Sequence, residues 1–177
     1  MLICSKLIPK GQGLATALLQ RAPAVELDWD IRQKSRFDAT DTTGRALGVF
    51  LPRGTLVRGG DVLVAEDGSL VRVLAAAQEV LRITACPQHG SAFDLTRAAY
   101  HLGNRHVPIE LQPDHLKIEP DHVLADMLRS MHMTVHAVHE AFEPEGGAYS
   151  SHAHSHDHGK TEHSHIHVHG PNCNHEH

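Results

Sequence analysis

Aromatic residues are scarce, with four Phe, two Tyr and one Trp in 177 residues, or 4%. The three cysteines, Cys4, Cys86 and Cys173, lie far apart and form no C-x-x-C pair. An odd, sparse count argues against a disulfide scaffold and against a zinc ribbon. A reducing, cytoplasmic setting is the expectation. No apolar run approaches the ~18 residues of a membrane span, so no membrane association is expected. The opening MLICSKLIPKGQG has too short an apolar stretch for a signal peptide. A dominant charge of one sign is missing too: 16 Lys and Arg stand against 21 Asp and Glu, a formal −5 with histidines neutral.

The excess is histidine, 18 in 177. At an unperturbed pKa of ~6.5, roughly a quarter of these rings are protonated at pH 7. They offset most of the −5, so a nucleic acid has no strong electrostatic attraction to the chain. Hydrophobic residues at 41% and charged residues at 21% are ordinary for a globular protein.

Composition divides the chain into residues 1–74, 75–145 and 146–177. The first region reads as short strands with turn punctuation and forms a small all-β domain. TDTTGR (Thr40 to Arg45) is a turn between AVELDWDIRQKSRF and ALGVFL. Val62, Leu63 and Val64, then Asp67-Gly68, then Leu70, Val71 and Val73 predict a hairpin. LATALLQ (Leu14 to Gln20) allows at most a short helix.

The second region orders strand, helix, strand, strand, helix, strand. EVLRITA (Glu79 to Ala85) opens it. Ser91 with Asp94 three residues on signals a helix start, and Gly103 is its expected stop, since glycine takes positive φ without strain. VPIEL and HLKIE are short strands around the Gln112-Pro113-Asp114 turn. Asp121 caps a second helix, with Val123, Leu124, Met127, Leu128 and Met131 on one face. TVHAVHEAF (Thr134 to Phe142) is the last strand. The order is that of a ferredoxin-like βαββαβ domain, so the fold class is α+β.

The third region is low in complexity. His152, His154, His156, His158, His163, His165, His167, His169, His175 and His177 fall within the last 26 positions. With almost nothing to bury, this tail is expected to be disordered. Neutral imidazole suits Zn, Cu and Ni. Each H-x-H step separates two donors by one residue, so HAHSHDH can wrap one ion in several registers. Weak, interchangeable sites with fast exchange follow. The interspersed Ser, Ala, Asp, Val and Asn distinguish the run from a contiguous expression tag.

HLGNRHVP (His101 to Pro108) is the second signal. His106 falls on the surface beside a helix terminus. It is either a solvated cap, where a cation is favoured, or one half of a metal site shared across a symmetric contact. His122, just inside the Asp121 cap, reads as an exposed helix residue. His136 and His139 have odd separation on a strand and face opposite sides. His89 and His115 sit near turns and read as solvated. Cys86 reads as a packed thiol. No H-E-x-x-H helix, nucleophile–base arrangement or Gly-rich phosphate loop is present, so an enzyme is not expected. The strands lack the stacking aromatics of an RNA-binding module.

Several elements together resemble the UreE family of urease accessory proteins. They are RQKSRF, LVRGGDVLVAEDG, YHLGNRHVPIEL, DHVLADML and FEPEGGAY ahead of a His-rich tail. The resemblance runs in order along essentially the whole chain. It implies a nickel metallochaperone that donates Ni(II) for assembly of the urease active site, with Zn(II) or Cu(II) as other cations for the same ligands. It implies a peptide-binding style of N-terminal domain, a homodimer formed by the ferredoxin-like domain, and work with the urease accessory GTPase and the apo-urease maturation complex. It makes His106 the interfacial ligand from each subunit, ranks His101 below it, and gives the tail extra capacity. Where some members carry His-Asp-His before the second helix, this chain has Pro120-Asp121-His122, so only His122 carries over. A general histidine-rich nickel or zinc buffer is the other function open to such a tail.

Overall fold

The computed structural model describes residues 1–146. The tail histidines, and the expectation of disorder there, lie outside the described residues.

Among the described residues ten strands form two sheets. The first is six-stranded, in the order β2-β6-β5-β1-β4-β3. Its strands are β1 (Leu2–Ile8), β2 (Ala24–Leu27), β3 (Arg36–Thr40), β4 (Ala46–Phe50), β5 (Val62–Ala65) and β6 (Leu70–Ala75). The predicted hairpin is β5–β6, antiparallel with Leu63 opposite Val71. The Thr40–Arg45 turn closes β3 on β4, with Thr40 opposite Ala46. β1 lies in the middle of the sheet, parallel to β4 and antiparallel to β5. Alternating apolar positions bury Cys4, Val25, Leu47, Val49, Leu63, Val71 and Val73 in one core. Each such side chain contributes about 1.5–3 kcal/mol relative to exposure.

The first region is not purely β. α1 (Thr16–Arg21) is the short helix allowed by LATALLQ, and α2 (Trp29–Arg32) interrupts AVELDWDIRQKSRF. The Asp28 carboxylate accepts from Ile31 N–H at 2.8 Å, which caps α2. One turn of helix then places Trp29 and Arg32 on the same buried side. Alternation alone does not reveal so short a helix.

The second sheet is four-stranded, in the order β10-β7-β9-β8, and every neighbouring pair is antiparallel. It comprises β7 (Ala77–Ala85), β8 (Glu110–Leu111), β9 (Leu116–Ile118) and β10 (Met133–Ala141). Helices α3 (Ala92–Gly103) and α4 (His122–Ser130) supply the other side of its core. Ser91 N–H donates to the Asp94 carboxylate at 2.8 Å, so the α3 start signal is physical. Leu95, Ala98 and Leu102 bury one stripe of α3 against Ile83, Leu116 and Ile118. Asp121 caps α4, accepting from Leu124 N–H at 2.9 Å. Val123 departs from the expected α4 face: it is 62% exposed, while Ala125 and Leu128 are buried. Among the described residues no helix is long and apolar enough to cross a membrane.

Ala141 to Glu145 forms a strap that touches both sheet units. Arg32, fully buried, donates to Leu27 O at 3.1 Å, Glu143 Oε1 at 2.5 Å and Phe142 O at 2.5 Å. Gly59 N–H donates to Glu143 Oε1 at 2.8 Å, and Arg58 to Pro144 O at 2.5 Å. From the other side, Glu143 N–H donates to Glu110 Oε2 at 2.7 Å and Glu145 N–H to Ile109 O at 2.8 Å. Buried Lys117 completes the set, pairing with Glu110 at 2.9 Å and donating to Ala141 O at 2.7 Å. Phe142 packs edge-on against Trp29, ring centroids 6.2 Å apart. The Arg32 and Arg58 guanidiniums lie over the same indole.

The carboxylates give the fold an acid limit. Hydrogen bonds from Thr43 and Arg45 hold Asp41 well below the usual carboxylate range. Ser69 does the same for Asp67, Ser91 for Asp94, and His115 for Asp114. A carboxylate depressed in the folded state adds stability that is complete above its unfolded pKa of about 3.9 and is lost as pH falls through the folded value. Glu119 opposes them: burial, then Asp30 and Asp28, raise its pKa, so its ionisation disfavours the fold as pH climbs past about 4.3. The depressed groups outnumber it. The urea midpoint is therefore expected to hold from pH 7 to about pH 4 and to fall between pH 4 and pH 2. A midpoint rising through that lower interval would contradict the assignment.

Candidate functional site

His106 terminates α3 in an unusual way. Gly103, the expected stop, does not have positive φ; His106 does, at +58°. Asn104 stays helical and donates to Tyr100 O at 3.0 Å, so the helical path runs past the glycine. His106 N–H then bonds Gly103 O at 2.9 Å, and Val107 N–H reaches back to Leu102 O at 3.3 Å. These are the two bonds of a Schellman closure, in which the left-handed residue is usually glycine. Leu102 and Val107 pack in the same core, the contact that accompanies this closure. The result is an exposed imidazole on a backbone fixed by two hydrogen bonds. His132 ends α4 with φ of +62°, so left-handed backbone does not by itself mark a ligand.

His101 is half-buried in the last turn of α3, edge-on to Tyr100 with ring centroids 5.4 Å apart. Its carbonyl accepts from Arg105 at 2.9 Å, which braces the turn before His106. Tyr100 is 66% exposed. His122 is exposed at the first position of α4 and lines a cleft of about 430 Å³ with Leu81, Pro120, Asp121, Ala125 and Arg129. Among the described residues no three His, Cys, Asp or Glu side chains converge as a metal-holding group. His101 and His106 share one helix end, and His122 begins another helix. His136 and His139 are both exposed on the edge strand β10. His115, expected to be solvated, is half-buried, with its Nδ1 2.7 Å from Asp114 Oδ1. Cys86 is a free, half-buried thiol.

Residues 4–76 match the family described as UreE urease accessory protein, N-terminal domain, and residues 78–177 match its C-terminal domain. The chain belongs to the UreE family.

Relatives named urease accessory protein UreE include one from Albidiferax ferrireducens, 75% identical over 177 residues and covering the whole of both chains. One from a Polaromonas species is 78% identical over 151 residues, 85% of this chain and 69% of its own. One from Ralstonia nicotianae is 52% identical over 149 residues, 84% of this chain and 69% of its own. The two UreE domains correspond to the two sheet units, a two-domain α+β architecture. Two of the sequence elements that resemble UreE turn out to meet. RQKSRF contributes Arg32 and FEPEGGAY contributes Phe142 and Glu143 to the strap. Sequence reading missed this cluster. Arg32 lies beside the lone tryptophan in the charged run DWDIRQKSR, so nothing in the sequence sets it apart from its exposed neighbours.

Proposed function

We propose that this chain is a non-enzymatic nickel carrier of the cytoplasm that serves urease maturation. Its relatives, named as urease accessory proteins, support the role. The observation that carries the mechanism is His106, an exposed imidazole on a braced helix end. One imidazole holds Ni(II) poorly. A homodimer about a two-fold axis brings His106 from each copy to one ion. Exposed Tyr100, near the same end of α3, offers apolar surface for that contact. Further donors come from water, from His101 and His122, and from beyond the described residues. Two strong nitrogen ligands leave the shell incomplete, so a partner enters and takes the ion by ligand exchange. The partners in this reading are the urease accessory GTPase and the apo-urease complex.

The ferredoxin-like reading of residues 75–145 rests on strands that, numbered within the unit, lie in the order 4-1-3-2. Residues 1–74 form the partner-facing domain and 146–177 the metal-rich tail. Copper outranks nickel at most nitrogen sites, with zinc a competitor, so cellular supply selects the cargo.

Ni(II) titration of the full chain and of a chain stopped after Ser151 tests the reading. Truncation removes ten histidines. Fewer ions per dimer are expected, with the tight site, the dimeric state and folding retained. A truncated chain that is monomeric or unfolded contradicts it. Transfer of the ion to the accessory GTPase separates delivery from the second reading, a nickel or zinc buffer, which the histidine-dense tail favours equally.

A further inference from the structure

We infer that the strap Ala141–Glu145 couples the first domain to the His106 loop, with Arg32 and Glu143 as positioning residues for the metal ligand. The inference rests on the reading of His106 as a cation ligand. The path is continuous and made of short contacts. Arg32, Arg58 and Gly59 hold Glu143 from the first domain. The backbone of Glu143 holds Glu110, and that of Glu145 holds Ile109. Ile109 is three residues beyond His106, which spans about 10 Å of extended chain at most. Val107, between them, is already tied to Leu102 by the closure of α3.

Each link is built to have few alternatives. Arg32 is fully buried, so its charge has no water to turn to if Glu143 and the Phe142 carbonyl leave. Gly59 packs so closely that a Cβ there would stand 2.9 Å from Glu143 Oε1 and 3.3 Å from the Ala75 Cβ. Trp29 is wedged between the strap and the two guanidiniums, and its Nε1 has no hydrogen-bond partner. A shift of the strap therefore moves the indole.

Spatial continuity does not by itself establish coupling; a measured linkage does. Linkage is reciprocal: if the strap sets how His106 is presented, a cation at His106 shifts the strap. Trp29 is the only tryptophan, so its emission reports on that shift directly. The experiment titrates the full-length protein with Zn(II), which does not quench as paramagnetic Ni(II) does, and follows Trp29 emission and affinity together. The emission is expected to change as the tightest site fills. The change is expected to vanish in His106→Gly, whose tail is intact, and to shrink in Glu143→Gln together with about a 5-fold or greater loss of affinity.

A tight site that needs His106, with silent Trp29 emission and unaltered affinity in Glu143→Gln, overturns the coupling and leaves the carrier reading standing. No His106-dependent site in the wild type overturns both. If Glu143→Gln does not fold, the wild-type emission and hydrogen exchange at residues 107–111 and 141–145, with and without Zn(II), decide alone. Unchanged protection in both segments rejects the inference.

Discussion

Replacing His106 by glycine is expected to stabilise the fold and abolish the tightest cation site. A non-glycine residue in left-handed backbone costs about 1–2 kcal/mol, and His106 sits there at φ +58°. Glycine removes that cost but returns about 0.4–1 kcal/mol through its freer unfolded chain. The net gain is about 0.5–1 kcal/mol, a rise in melting temperature of roughly 1–4 °C for a chain of this size. The Schellman bonds use only backbone, so they survive the change. The imidazole does not. Loss of a positioning neighbour of a metal ligand typically costs 10–100-fold in affinity, and loss of the ligand itself should exceed about 100-fold. Differential scanning calorimetry and Ni(II) titration on the same preparation check both halves. A glycine variant that melts lower, or keeps the tight site, refutes the view that this position accepts backbone strain to present a ligand.

The largest loss of stability is expected from Arg32→Ala. The change deletes donors to three acceptors, Leu27 O, Phe142 O and Glu143 Oε1, and opens space under Trp29. Burial pushes the Arg32 pKa down while Glu143 pushes it back up, so the pair depends on both members. Removing one member of a buried pair costs about 3–5 kcal/mol. Glu143 is 31% exposed and regains some water, which puts the expected loss near the lower end, about 3 kcal/mol. Urea unfolding followed by circular dichroism measures it. A cost below about 1 kcal/mol, the worth of an ordinary exposed ion pair, would mean the strap is peripheral to the fold.

Much of the second domain was legible because its signals are local. Ser91 with Asp94 and the cap at Asp121 act within one helical turn, and both helices begin where they say. The β5–β6 hairpin is equally local. What escaped reading depends on distant partners or on competing local choices. Val123 has the right residue type for the α4 face but the wrong angle. α3 does end at Gly103, the favoured stop by residue type, but Asn104 keeps helical backbone angles and the left-handed position expected of the glycine falls to His106. The burial of Arg32 is decided by Glu143, 111 residues away, and no periodicity within RQKSRF announces it. The candidate ligands themselves were read from residue type and resemblance. The structure adds that His106 is exposed and braced, and that no single copy gathers a preformed ligand set among its described residues.

The central place of β1 gives the first sheet a single seam. Among the described residues Leu2–Ile8 is the only strand paired with both the β2-β6-β5 ribbon and the β4-β3 ribbon, whose other tie is the β3–β4 turn, where Thr42 N–H donates to Ala24 O at 2.7 Å. Peeling that one strand away would leave two narrow fragments, each with raw edges on both flanks and too few strands to persist alone. The strand pairing of about half the described molecule thus runs through seven residues, with the Thr42–Ala24 contact as its one other tie, and trimming by a peptidase there would be more damaging than an equal cut in an outer strand.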